Sequence, residues 1–143
     1  MKQAILVIVL VVAGAWLAHL HVAAQTYHPV VQVLAPEGLT YTAVQDPTSE
    51  RGTCGAANER FLGPLKAQCR QCQILHARCA RSLEGLELSI QEGKPIPHHL
   101  VYAPGLRIAI AGPAELAKSS CDFLAGDMAR RGAQSAVCVY PKR

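Results

Sequence analysis

The sequence has no block of basic residues, no acidic tail and no run in which aromatic and basic residues alternate. Aromatic residues make up only 5% of the chain, and the net charge of +4 comes from acids and bases mixed along its length. Because nucleic-acid-binding surfaces need clustered positive charge, nucleic acid is not expected among the partners. Asn58 is the only asparagine, and Asn58-Glu59-Arg60 is not an N-glycosylation acceptor, which is compatible with a bacterial exported protein.

The longest apolar run lies at the N-terminus. Ala4–Leu20 is apolar except for His19 and follows a positively charged start at Lys2, so residues 1–24 have the composition of a signal peptide or a signal-anchor transmembrane helix. Small residues at 22 and 24 suit cleavage before Gln25, and a helix of about 17 residues reaches roughly 26 Å, slightly short of a ~30 Å hydrocarbon core. Both outcomes stay open, with cleavage slightly favoured.

In either case the rest of the chain is expected to be exported, because the positive start stays on the entry side. The expected location is the inner membrane facing the periplasm, or the periplasm or exterior after cleavage. An uncleaved helix would make the membrane itself a partner. Residues 25–29 are expected to form a linker, and residues 30–143 one domain.

The cysteines all lie in this exported part of the chain. An even number of cysteines in a small exported domain is typical of a disulfide framework. We therefore expect the domain to be stabilised by disulfides. The expected disulfide residues are Cys54, Cys69, Cys72, Cys79, Cys121 and Cys138.

The first half of the domain predicts two strands followed by helix. Val30–Leu34 and Thr40–Val44 have strand composition, and the segment VLAPEGL faintly echoes VYAPGL at 101–106; we interpret these as two strand-turn units rather than a repeat. Ala56–Leu62 is expected to be a short helix interrupted at Gly63-Pro64. A stripe spaced by three and four residues then predicts one long helix that ends at Gly93. Its members are Leu65, Cys69, Cys72, His76, Cys79, Leu83, Leu86 and Ile90.

The last third predicts strands at 98–103 and 106–112, a helix with Pro113 as its first residue, and a strand at 133–141. If the second and third of these strands were parallel neighbours, they would form a right-handed βαβ unit with the helix. The expected class is therefore α+β or α/β: a small sheet covered by two helices, one of which is long and carries cysteines.

The predicted long helix places Cys69, Cys72, His76 and Cys79 on one face, a ligand set that suits a soft metal or zinc. Cys69 and Cys79 would lie about 15 Å apart along the axis, too far for one ion to gather all four. Cys69-Arg70-Gln71-Cys72 is also a C-x-x-C sequence, but a redox site usually has its first cysteine at a helix N-terminus, which this segment lacks. Haem attachment is excluded, because Gln73 stands where a histidine is required.

No other segment indicates an enzyme. Gly112 is a single glycine between strand and helix, not the spaced set of a nucleotide site. His98 and His99 are adjacent on a predicted strand and so point to opposite faces. The serines lack a nucleophile-elbow context, and no pair of carboxylates suggests acid–base catalysis. No cofactor is expected.

Cys121 is expected to pair with Cys138, because the helix face of the first lies over the strand face of the second. For the remaining four we favour Cys54 bonded to Cys69 or Cys72, which would leave Cys79 for an intermolecular bond or a free thiol. A homodimer through that unpaired cysteine would then be possible. The alternative closed set is Cys69–Cys72 with Cys54–Cys79.

Taken together, the sequence predicts a membrane-tethered or periplasmic domain that acts as a binding or structural component of the cell envelope, with an envelope protein as partner. The alternative is a thiol-disulfide redox or metal-handling protein that uses Cys69, Cys72, His76 and Cys79. The two differ in their free thiols and in bound metal.

Overall fold

The computed structural model describes residues 25–142. In this range the elements in chain order are β1 His28–Leu34, β2 Thr40–Gln45, α1 Arg51–Gln68, β3 Gln73–Ala80, α2 Gly85–Glu92, β4 His99–Ala103, β5 Leu106–Ala111, α3 Ala114–Arg130 and β6 Val137–Val139. The predicted signal peptide or anchor, residues 1–24, lies outside the described residues. Between residues 25 and 142 there is no helix with the length and apolar character needed to cross a membrane.

The strands form one sheet in the order β3-β1-β2-β5-β4-β6, and all neighbours are antiparallel. The domain is therefore α+β. Because side chains alternate between the faces of a strand, the sheet has two apolar faces. Helices α1 and α3 cover one of them, packed around Val33, Val101 and Ile108. Helix α2 covers the other, where Ile90 packs with Val30, Val44 and Leu100.

The described part of the chain contains two successive units with the same order of elements: hairpin, helix, outer strand. The first is β1-β2-α1-β3 and the second β4-β5-α3-β6, and in each the first strand lies between the other two of its unit. Val33 pairs with Tyr41 in the first hairpin, and Val101 pairs with Ile108 in the second. The segments VLAPEGL and VYAPGL are thus the turns of equivalent hairpins, and the units meet at β2 and β5.

The predicted long helix from Leu65 to Ile90 is wrong. Helix α1 ends at Gln68, β3 occupies 73–80, and only Gly85–Glu92 is helical again. Three members of the stripe that indicated a helix, Cys69, Cys72 and Cys79, are held instead by disulfides. The strand forms because it pairs with β1, a contact distant in sequence that a local pattern does not record. Most of β3 is exposed, so burial gives it no clear alternation.

Two further predictions of the fold are corrected. Helix α1 does not break at Gly63-Pro64 but passes through both residues; both are exposed, so the backbone hydrogen bond that Pro64 cannot donate is lost on the solvent side. The βαβ unit does not form either, because β5 already pairs with β2 on one side and with β4 on the other. Strand β6 instead pairs with the free edge of β4, in antiparallel orientation.

Candidate functional site

The described residues form an open groove between α1 and α3, with a cavity volume of about 400 Å³. Helix α1 contacts β1 and β3, whereas α3 contacts β4, β5 and β6, so the groove lies between the helices above the seam of the two units. Clefts of roughly 300–1,000 Å³ that are mostly apolar are typical ligand sites. Its lining residues are Val33, Ala35, Glu37, Tyr41, Phe61, Pro64, Leu65, Gln68, Cys69, Cys72, Ile108, Ser120, Phe123, Leu124 and Met128.

The floor of the groove holds one pair of neutral polar groups. The hydroxyl oxygens of Tyr41 and Ser120 are 2.8 Å apart, and either can donate the hydrogen bond. Burial is the main cause that raises the pKa of Tyr41 above its ordinary value, so the phenol stays protonated at neutral pH. Apart from this pair the floor is apolar, with Val33 and Ile108 beside it. The groove can therefore bind apolar groups, and its hydroxyl pair can form one hydrogen bond with a neutral polar group of a ligand.

The two walls of the groove carry side chains at helical spacing. On α1 these are Phe61, Leu65 and Gln68, and on α3 they are Ser120, Phe123 and Leu124. Since residues three, four and seven apart lie on one helix face, each wall presents a ridge of side chains toward the other. Most of these side chains are only partly buried, so the groove is open to solvent along its upper edge.

The rim of the groove exposes apolar surface on α3. Phe123 is 67% exposed, and Leu116, seven residues earlier on the same face, is 46% exposed. A phenylalanine exposed to this degree gains from burial against a partner, and apolar patches with polar surroundings mark binding surfaces. The exposed apolar surface of α3 thus begins at Phe123 in the groove lining and continues along the same helix face to Leu116, outside that lining.

Glu37 and the Cys69–Cys72 disulfide complete the lining. The Cα atoms of the two cysteines are 5.4 Å apart. Cys69 follows the last residue of α1, and its backbone N–H donates to the carbonyl of Leu65 over 2.8 Å. The disulfide therefore fixes the last turn of α1 where that turn forms the wall.

The other two disulfides join each wall helix to the outer strand of its own unit. Cys54 on α1 is bonded to Cys79 on β3, with Cα atoms 5.9 Å apart, and Cys121 on α3 is bonded to Cys138 on β6, with Cα atoms 5.5 Å apart. The predicted Cys121–Cys138 pair is confirmed. With all six cysteines paired, the chain has the covalent pattern of a protein folded in an oxidising environment.

The favoured pairing of Cys54 with Cys69 or Cys72 is wrong, and the alternative set is the one found. The physical reason is that β3 runs back beside α1, which brings Cys79 to the start of that helix. Cys79 is therefore not left over. An unpaired cysteine, the basis of the expected homodimer, does not occur among residues 25–142.

The predicted metal-ligand face does not form. Cys69 and Cys72 are bonded to each other and Cys79 to Cys54, while His76 lies on β3 opposite Gln32. Within the described part of the chain there is no group of three or more His, Cys, Asp or Glu side chains placed to hold a metal ion. The ligand set depended on the continuous helix, which the strand replaces.

Gly112 and His99, from two segments that the sequence raised as candidate sites, make contacts within the fold. Gly112 adopts a φ of +141°, and a Cβ there would lie 2.8 Å from the Leu39 side chain, so this glycine permits a close approach of two turns. The ring of His99 meets the ring of Tyr140 edge to face, with centroids 5.6 Å apart. Neither segment adds to the groove.

A polar cluster joins α3 to the chain after β6. Tyr140 donates a hydrogen bond of 2.6 Å to Asp122, and Lys118 donates another of 2.9 Å to the same carboxylate. The hydrogen bond from Tyr140 is the first cause that lowers the pKa of Asp122, and the bond from Lys118 is the next. The three side chains are 40–50% exposed, and we interpret the cluster as an attachment of the C-terminal segment rather than as a site.

The groove could be found only in part from the sequence. Leu124 and Met128 share helical spacing with Cys121, whose helix face was expected to lie over a strand, but Phe123 and the Tyr41–Ser120 pair carried no signal of their own. Comparison with models of known families, with curated proteins and with solved structures gave no match. Arguments about function therefore rest on the geometry described above.

Proposed function

We propose that the chain is an exported binding component of the cell envelope and that the groove between α1 and α3 is its recognition site. The proposed occupant is the apolar face of an α-helix in another envelope protein. Residues 1–24 direct export in this proposal, either as a cleaved signal peptide or as an inner-membrane anchor. The observation that carries the proposal is the open apolar groove with Phe123 exposed on its rim.

A helical segment fits this groove better than a small molecule does. A small molecule held inside the cavity would contact Phe123 from one side but would leave Leu116, which is 46% exposed and lies outside the cavity lining, in water. The side chains on both walls also follow helical spacing, and such ridges interdigitate with those of a third helix. Recognition of an amphipathic helix in a groove typically uses apolar anchors three, four and seven residues apart.

Export supports the same proposal. Three disulfides among residues 54–138 are consistent with an oxidising compartment. The apolar run at Ala4–Leu20 with Lys2 before it supports transfer of everything that follows. A reporter enzyme that works only in the cytosol, fused after Arg143, should be inactive, and activity of that fusion would contradict export.

The recognition site is tested by crosslinking in cells that export the full chain. A photoreactive phenylalanine analogue replaces Phe123, and the matched control places it at Val139, which is 47% exposed and lies on β6, away from the groove. We expect position 123 to crosslink to an envelope protein at an apolar helical segment. Phe123→Ser should weaken binding of that segment by about tenfold or more, because burial of a phenylalanine is worth about 1.5–3 kcal/mol.

The control variant Val139→Ser should bind the segment as the parent does. Equal crosslinking from positions 123 and 139 would contradict the assignment of the groove. Crosslinks from position 123 to a lipid or a small molecule alone would show that the proposed occupant is wrong.

A further inference from the structure

The Cys69–Cys72 disulfide differs from the other two in what it closes. Its cysteines are 3 residues apart, whereas the others join residues 25 and 17 apart. Each longer bond has one cysteine at 0% exposure, Cys54 or Cys121, while Cys69 and Cys72 are both partly exposed. A bond that closes so short a loop removes little freedom from the unfolded chain, so stability of the fold does not explain it well.

Its position relates it to the groove instead. The disulfide spans the connection from α1 to β3, and both of its cysteines line the cavity beside Leu65 and Gln68. Cys72 also packs against the core. The Cys54–Cys79 bond joins α1 to β3 independently and encloses this connection. Opening the short bond therefore leaves the helix attached to the sheet but frees one end of the wall.

We propose that Cys69–Cys72 is a reversible redox site that sets the affinity of the groove, an inference that rests on the proposed function for its binding step. The reductant is a dithiol, either a small molecule or a protein. One of its thiolates attacks one sulfur of the pair, the S–S bond breaks and a mixed disulfide forms. The second thiol of the reductant then attacks the reductant's own sulfur in that mixed disulfide and releases the cysteine that was attacked first, so two electrons and two protons pass to Cys69 and Cys72 as the dithiol becomes a disulfide.

The position of the pair at the end of α1 makes it the disulfide that is attacked in such an exchange, not the attacking thiolate. Cys69 follows the C-terminal end of α1, where the negative end of the helix dipole disfavours a thiolate. Catalytic cysteines are usually activated at the opposite end of a helix. Reduced Cys69 is thus a weak attacking nucleophile, so the pair is suited to being reduced by an external dithiol and reoxidised by an external disulfide rather than to acting as a catalytic dithiol.

Reduction should weaken binding to the groove. In the oxidised protein the turn at Arg70-Gln71 is closed, and Cys72 is held against the wall. After reduction this end of the groove has to become ordered again when a ligand binds. Immobilising one or two side chains has a cost that corresponds to about a tenfold loss of affinity.

The first measurement uses the full chain as isolated from cells that export it. It is treated with increasing dithiothreitol, alkylated with N-ethylmaleimide and mapped by peptide mass spectrometry. We expect Cys69 and Cys72 to be labelled before any other cysteine, with the circular dichroism spectrum retained. Labelling of the Cys54–Cys79 or Cys121–Cys138 cysteines first would overturn the inference.

The second measurement is the affinity of a fluorescent amphipathic helix made of leucine, alanine, lysine and glutamate. It should bind the oxidised chain about tenfold more tightly than the selectively reduced chain, and the Cys69→Ser/Cys72→Ser variant should behave as the reduced chain. Equal affinity for both forms would overturn the inference and leave the proposed function standing. A peptide that binds neither form, or that ignores Phe123→Ser, would overturn the proposed function and the affinity step with it.

Discussion

Removal of the Cys54–Cys79 disulfide should be the most destabilising loss of a single disulfide from the domain. The bond closes a separation of 25 residues, which the chain-entropy relation converts into about 3.5 kcal/mol of the free energy of unfolding. Helix α1 also has few local supports, since Glu50 at its N-cap makes no capping hydrogen bond and Pro64 lies inside it. The Cys54→Ala/Cys79→Ala variant should therefore lose the attachment of α1 to the outer strand, and its unfolded chain should gain the conformational freedom that the bond removes.

The matched comparison is Cys69→Ala/Cys72→Ala, which removes a bond with a separation of 3 residues and should cost only about 2 kcal/mol or less. Urea unfolding monitored by circular dichroism measures both, and with a slope of about 1.5 kcal/mol/M the midpoints should fall by about 2 M and 1 M. A loss from the second variant that equals or exceeds the loss from the first would refute the assignment of the long bonds to stability and the short bond to the groove.

Three smaller perturbations test the site and its surroundings. Tyr41→Phe removes the 2.8 Å hydrogen bond to Ser120 and should lower the free energy of unfolding by about 1 kcal/mol, measured by urea unfolding at pH 7. Because burial raises the pKa of Tyr41 above its usual 10.0, the folded chain holds this proton more tightly than the unfolded one. Stability should thus fall as the pH rises above about 10, and by less in Tyr41→Phe; an unchanged alkaline profile would contradict the burial of this phenol. Gly112→Ala places a Cβ 2.8 Å from the Leu39 side chain at a φ of +141° and should lower the free energy of unfolding by roughly 1–3 kcal/mol. The control Gly55→Ala, in a helix with open space around it, should leave that free energy unchanged or raise it; thermal unfolding measures both variants.

The hairpins could be predicted from the sequence because everything that specifies them is local. Apolar residues suited to strands flank turn formers in VLAPEGL and VYAPGL, and the turns keep glycines with positive φ at Gly38 and Gly105. Strand β3 could not be predicted in this way. It is mostly exposed, it depends on β1 for its partner, and the spacing of His76 and Cys79 with the preceding Cys69 and Cys72 imitates a helix.

The groove was harder to predict than the elements that form it. The inward face of α3 follows from the spacing of Ala117, Cys121, Leu124 and Met128, and these residues do pack in one core cluster. Whether Phe123, next to that face, is covered depends on the gap between α3 and α1. That gap is set by which strands each helix covers, and the order of strands in the sheet is not a local property of the sequence.

The arrangement of the two units explains why the seam of the sheet is open on one face and covered by a helix on the other. Each unit places its helix over its own strands, α1 over β1 and β3 and α3 over β4 to β6, and ties it by a long disulfide to its outer strand. Both helices are thus held toward the edges of the sheet, away from the seam between β2 and β5. On the opposite face α2, the helix that connects the units, contacts both seam strands. Among the described residues, α2 is the one helix that connects the two units, and it covers the seam on one face only. The seam therefore stays open on the other face, between α1 and α3. The short disulfide Cys69–Cys72 lies beside that opening.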